Sequence, residues 1–212
     1  MPRPSQAQDQ ALLLAGRQLY AEFGCAALSV RKVAEAAGVN PAMVHYHFKS
    51  KDGFLRALLQ QIYEDLFAGL SLEAGADGPP LQRLRACLLA LARFIGAHRP
   101  LIARVWSDAS AGEKVALEFM CANAPRHLDL LLQLLGEAQA AGELQPGPPL
   151  PRFVFLMGAV IAPLLVVGGA LSLGIVPAPI AALVPPLVLS DDAIAARVDL
   201  ALTALQSQGA TP

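Results

Sequence analysis

Charge is scarce in this chain. Only 16% of the 212 residues are Asp, Glu, Lys or Arg, and none of them falls within residues 153–190. The 16 basic and 17 acidic side chains leave a net charge of −1. That excludes attraction of a polyanion by bulk charge, and any anionic partner must be met by basic residues gathered in one place. Cysteine is sparse too: Cys25, Cys87 and Cys121 stand far apart in apolar helical patterns. Their spacing excludes a disulfide framework and a thiolate metal site, and leaves reduced thiols packed as small hydrophobes, as in a cytoplasmic protein. His-Glu-x-x-His, Cys-x-x-Cys, a phosphate-binding glycine loop and Gly-x-Ser-x-Gly are all missing. His98, His127, Cys121 and Asp108 are scattered, so the chain is expected to be no enzyme and to carry no cofactor or metal. No period-two strand pattern occurs. The opening MPRPSQAQDQ has no apolar core of a secretion signal and reads as a short disordered arm.

What is present is apolar helical periodicity, with 55% hydrophobic residues, enough for extensive burial and a subunit interface. Its most informative stretch is residues 29–51, SVRKVAEAAGVNPAMVHYHFKSK. Ser29 can cap a helix whose apolar positions Val30, Val33, Ala34 and Ala37 fall on one face. Gly38 can take the left-handed conformation that ends a helix, and Val39 carries the chain inward. Asn40 then suits an N-cap and Pro41 the first position of a second, short helix, in which Val44 and Phe48 face the core. Pro41, Ala42, Met43, His45, Tyr46 and His47 point elsewhere. Rings, imidazoles and small residues on that face fit a partner better than solvent, and the major groove of B-DNA admits one α-helix. Lys49 and Lys51 follow, and Ser50 can cap a third helix whose free amides, with Lys51, suit a phosphate. Arg31, Lys32, Lys49, Lys51 and Arg56 supply the local positive charge.

Residues 10–66 resemble the DNA-binding domain of the TetR/AcrR-like family of bacterial transcriptional regulators. The resemblance is carried by Phe23-Gly24, by Val33-Ala34-x-x-Ala37-Gly38-Val39 and by His45-x-His47-Phe48-Lys49-Ser50-Lys51. The family usually has Tyr where His45 stands, Thr where Ser29 stands and often an acidic residue where Gly53 stands. That glycine is expected to weaken the first turn of its helix by up to about 1 kcal/mol relative to alanine. The resemblance implies an all-α protein, with an N-terminal three-helix helix-turn-helix domain and a C-terminal helical bundle that forms a homodimer through its last two long helices. It implies a ligand-responsive regulator, most simply a repressor, on a palindromic double-stranded DNA operator. Ser29, Tyr46, His47 and Lys51 then fall to phosphates, with Arg31 and Lys49 adding charge. Pro41, Ala42, Met43 and His45 lie toward the bases, and the capping Asn40 counts with them among the DNA-binding residues. With no Arg or Gln on that face and only the capping Asn40, base reading leans on thymine methyls and DNA shape.

The remaining chain reads as helices. Leu12, Ala15, Leu19 and Phe23 form one stripe that Gly24 stops, and Leu55, Leu58, Leu59, Ile62 and Leu66 form another. The linker at residues 75–80 places the reading domain at 1–70 and an effector-binding and dimerisation domain at 71–212. In the second domain Phe94, Trp106, Phe119, Met120, Asn123 and His127 are the candidate lining of a cavity for an apolar small molecule, since few charges are available to meet an ionic one. The first part of residues 153–190 is about long enough to span a bilayer, which needs roughly 20 apolar residues. Its internal Gly158, Pro163, Gly168 and Gly169, and flanks poor in Lys and Arg, favour burial against the rest of the domain and a second subunit over a membrane. Residues 174–190, with Pro177, Pro179, Pro185 and Pro186, form an apolar connection of unassigned role. Two rival readings are an apolar-ligand sensor or carrier with an inactive helix-turn-helix, and a membrane-anchored regulator.

Overall fold

Every segment with three-to-four-residue apolar spacing is helical in the computed structural model, which describes residues 4–206 and contains no strand among them. The order is α1 (Pro4–Ala27), α2 (Val30–Ala36), α3 (Ala42–Phe48), α4 (Lys51–Ala74), α5 (Pro80–Ala97), α6 (Arg99–Ser110) and α7 (Lys114–Ala140). Then come α8 (Pro149–Leu156), a π-helical turn (Met157–Ile161), α9 (Ala162–Ser172), α10 (Ala178–Ala181), a second π-helical turn (Pro185–Leu189) and α11 (Asp191–Thr203). The expected disordered arm is helical from Pro4 onward.

Packing divides the chain differently from a cut at residue 70. One compact unit is Met1–Asp65 with Pro100–Ala124, and the other is Leu66–Arg99 with Pro125–Pro212. The chain returns to the first unit because α6 and the start of α7 carry polar groups that α1 and α4 need. Gly24 ends the straight run of α1 with φ 67° and ψ −170°, and a Cβ there would lie 2.7 Å from both Arg104 Cδ and Asp108 Oδ1. The space is taken by α6, which serves the helix end from both sides. Arg104 Nη2 donates to the Glu22 carbonyl at 3.0 Å. Asp108, almost fully buried, accepts from the Cys25 amide at 2.7 Å and the Tyr20 hydroxyl at 2.8 Å. A buried carboxylate is tolerable only with such donors around it. Burial pushes the Cys25 thiol up to about 11 and raises the Tyr20 phenol as well, so both stay neutral near pH 7.

The inward stripe of α1 is Leu12, Gly16, Tyr20 and Gly24, one position round from the expected Ala15, Leu19 and Phe23, which are half-buried. Gly16 lets Phe54 of α4 approach to where a Cβ would sit 2.5 Å from its ring. Val33, Ala34, Val44, Phe54, Leu55, Leu58 and Leu59 complete this core.

The second unit is built on leucine, with Leu70, Leu84, Leu88, Leu131, Leu134 and Leu164 almost wholly buried and Ile194, Val198 and Leu202 of α11 packed with them. Cys87 is buried here, its thiol pushed up to about 11 by desolvation, whereas Cys121 is exposed and is no core hydrophobe. Both π-helical turns sit at prolines, Pro163 and Pro185–Pro186, which remove amide donors from the helical ladder. Arg197 of α11 reaches carbonyls at both, Val188 O at 3.0 Å and Val160 O at 3.5 Å. Pro149–Ser172 is long and apolar enough to cross a membrane, with a mean hydropathy of 2.4, and only 28% of its most apolar window is buried by the chain. Leu150, Val154, Phe155 and Val166 on it, Leu173, Ile175, Ile180, Leu183 and Leu187 after it, and Leu200 on α11 face outward.

Asp108→Ala should lower stability by about 2–5 kcal/mol, since it leaves the Cys25 amide without its acceptor and the buried Tyr20 hydroxyl with only the weak Cys25 sulfur at 3.6 Å. Urea denaturation followed by circular dichroism measures this, with Asp108→Asn falling between the variant and the parent. A loss no larger than that of an ordinary surface substitution would show that α6 does not hold the end of α1.

Candidate nucleic-acid interface

The reversal between α2 and α3 is built as the sequence pattern requires. Gly38, at φ 67°, donates its amide to Glu35 O at 3.1 Å while Val39 donates to Ala34 O at 3.0 Å, the paired bonds that close a helix on a left-handed residue. Asn40 Oδ1 then accepts from the Ala42 amide at 2.8 Å, and its carbonyl accepts from the Met43 amide at 2.9 Å, so its side chain caps α3. Ser29 stands at the N-cap position of α2, but its hydroxyl makes no capping bond; only its carbonyl is used, by Val33.

On α3, Val44 is fully buried and Met43, His47 and Phe48 are half-buried, while Asn40, Pro41, Ala42, His45 and Tyr46 face outward. Tyr46 is 65% exposed, an unusual position for an aromatic ring with nothing covering it. The two imidazoles differ. His45 is exposed, with Nδ1 3.4 Å from Lys49 O, whereas His47 Nε2 is buried with no hydrogen-bond partner among the described residues. His47 packs edge-on to Tyr46 and tilts against Phe48, whose ring meets Phe54 of α4 at 5.2 Å.

The junction of α3 and α4 departs from expectation. Lys49 has φ 67° and ψ −39°, the only non-glycine with positive φ among the described residues, and the Ser50 amide donates back to Phe48 O at 2.8 Å. This is a γ-turn around a side-chain-bearing residue, a conformation that costs of order 1–3 kcal/mol. Ser50 Oγ caps α4 by accepting from the Gly53 amide at 3.0 Å. Gly53 is not a weak point that alanine would repair: a Cβ there would lie 2.1 Å from Phe48 O.

The positive charge is less available than the sequence suggests. Lys51 Nζ donates to the Ala26 carbonyl at 2.7 Å, tying the start of α4 to the end of α1. Arg56 pairs with Glu118 of α7 at 2.9 Å, which removes it from the cluster. Lys32 lies over the Phe23 ring at 4.3 Å, and Arg31 and Lys49 are exposed.

Of the residues expected to line an effector cavity, two share a hollow. Phe119 and Asn123 border a hollow of about 440 Å³ with Arg56, Ala57, Gln60, Glu118 and Ala122. Its polar groups are occupied by one another: the Gln60 and Asn123 amides bond reciprocally at 3.2 and 3.1 Å, and Tyr63 donates to the Asn123 carbonyl at 2.8 Å. Met120 is half-buried beside it in sequence. Trp106 is 55% exposed, because the inward stripe of α6 is Leu101, Val105 and Asp108 and position 106 falls to one side. Phe94 stacks on His98 at 4.4 Å in the second unit, to which the half-buried His127 also belongs.

Residues 12–58 match the sequence signature of the bacterial regulatory proteins of the tetR family. The transcriptional repressor KstR2 of Mycolicibacterium smegmatis is 24% identical over 146 residues, covering 68% of this chain and 70% of its own. The transcriptional repressor Rv3405c of Mycobacterium tuberculosis is 38% identical over 77 residues, 36% of this chain and 41% of its own. Among solved structures, SmeT, the repressor of the Stenotrophomonas maltophilia multidrug efflux pump SmeDEF, superposes with a TM-score of 0.68 at 20% identity, covering 98% of this chain and 94% of its own. Its complex with triclosan superposes at 0.73 and 23% identity, covering 96% and 94%. With a glycine-hinged helix pair and an outward α3, residues 12–58 form a TetR-like helix-turn-helix, and the chain as a whole resembles transcriptional regulators of that family.

Proposed function

We propose that the protein is a homodimeric, cytoplasmic repressor that sets α3 of each copy into successive major grooves of a palindromic operator and lets go when an apolar small molecule binds. The observation that carries this is the outward face of α3, where a capped helix offers Pro41, Ala42, His45 and Tyr46 beside the exposed Arg31 and Lys49. Small residues let the helix backbone approach base edges, and Met43 and His45 add apolar and polar contacts there. Ser29, whose hydroxyl no cap consumes, takes phosphate oxygens together with Arg31, Tyr46, His47, Lys49 and Lys51. The repressor role is supported by KstR2, Rv3405c and SmeT, each named as a repressor.

A second copy accounts for the uncovered apolar surface of α8, α9 and α11, because a helix that is apolar all round needs burial on every side. A membrane-anchored regulator is the second reading, favoured by the same helix's length and hydropathy. An apolar effector is supported by the triclosan complex of SmeT. Occupying one conformation of the dimer changes the spacing of the two heads, and binding falls because both half-sites can no longer be met together.

The purified protein should retain a small set of fragments from its source genome and sediment on them as a dimer. Arg31→Ala and Lys51→Ala should each weaken binding to all duplexes and lower the salt-dependence slope by about 1, while Met43→Ala and His45→Ala reorder the preference among fragments. Loss of both effects would remove α3 as the reading face, and partition into the detergent phase would favour the anchored form. Triclosan, added as a probe, should release the retained fragments; release by no apolar aromatic compound would count against an apolar effector.

A further inference from the structure

With a single fully buried side chain, Val44, the seven-residue α3 has little packing of its own to hold its direction. Its ends must do so. Asn40 fixes the first end, and the second is the turn through Phe48, Lys49 and Ser50. Ser50 Oγ ties that turn to α4 through the Gly53 amide, and the Phe48 carbonyl oxygen packs the two together: it accepts the Ser50 amide at 2.8 Å and also fills the space over Gly53. Any side chain at position 53 requires that oxygen to retreat from 2.1 Å to beyond 3.0 Å, which opens the turn. The turn also holds the outer face together, since Lys49 Nζ reaches Tyr46 O and Lys49 O faces His45 Nδ1, each at 3.4 Å.

We infer that this left-handed turn, locked against Gly53, is the device that sets how α3 is presented to DNA, and that Gly53 and the backbone of Lys49 are positioning residues for sequence discrimination. The inference rests on the reading of α3 as the groove helix. Discrimination is the property at stake because phosphate contacts ride on long side chains that follow a small displacement. Contacts to bases through Pro41 and Ala42 have no such reach and are lost first. Gly53 acts without touching DNA, through the carbonyl it admits.

The test uses the full-length protein, a duplex retained from the source genome and a random duplex of equal length, with helicity checked by circular dichroism. Gly53→Ala should lose about tenfold or more on the retained duplex, the scale of one lost base contact, and less than about threefold on the random one. Its salt dependence should stay that of the parent on both. Lys49→Asn and Lys49→Val remove the same charge but differ in tolerance of positive φ. The asparagine variant should keep the parent's ratio of retained to random affinity, and the valine variant should lose about tenfold in that ratio. If Gly53→Ala fails to fold, the Lys49 pair decides. Equal losses on both duplexes for Gly53→Ala, or equal ratios for the two Lys49 variants, would overturn the inference while leaving DNA binding intact. A parent protein that retains no fragment would overturn the reading of α3 and this inference with it.

Discussion

A helix of two turns cannot bury enough surface to fix its own direction, and the reading head is organised around that limit. Val44 is the one side chain of α3 wholly removed from water, a contribution of about 1.5–3 kcal/mol. Direction is supplied by joints instead. Gly38 closes α2 on a left-handed residue, Asn40 caps the start of α3, and Lys49 turns the chain into α4 under strain. A second glycine joint, Gly24, ends the straight run of α1 where Asp108 and Arg104 of α6 receive it. The outward residues of α3 are left free to be small and aromatic because none of them is needed to hold the helix in place.

Much of this was legible in the sequence, and the limits have physical causes. Gly38, Asn40 and Pro41 announce a reversal because each has a backbone property other residues lack, and the leucines of α5 announce a buried face because their spacing matches the helical period. The partner of Gly24 was not legible. Its role depends on a carboxylate 84 positions away in sequence, and a lone Asp108 among apolar residues looks like a surface group until Tyr20 and Cys25 are seen around it. The inward stripe of α1 was placed one position off, since Tyr20 reads as amphipathic whereas the half-buried Leu19 and Phe23 read as core.

Gly53 shows a different limit. Helix propensity alone makes glycine in a first turn a defect, and only the position of the Phe48 oxygen turns it into a requirement. Trp106 was grouped with Phe119 and Asn123 by chemistry, yet its ring is 55% exposed on the side of α6 away from the inward stripe. Aromatic residues on helices carry no record in the sequence of which neighbour they will meet. The scarcity of charge was a sound guide to the second unit, where a leucine-rich interior grades into an apolar exterior on α8, α9 and α11. In the proposed dimer that surface seats the second copy, and pairing offsets the few cations each head has available.

Hydroxyl-radical footprinting of the full-length protein on a retained genomic fragment decides whether two copies of α3 enter successive grooves. Two protected patches on one face of the duplex are expected, centred roughly 34 Å or a multiple of it apart, with guanine N7 in the major groove between the protected phosphates shielded from dimethyl sulfate applied in parallel. A single patch, or uniform protection that follows no sequence, would contradict that arrangement.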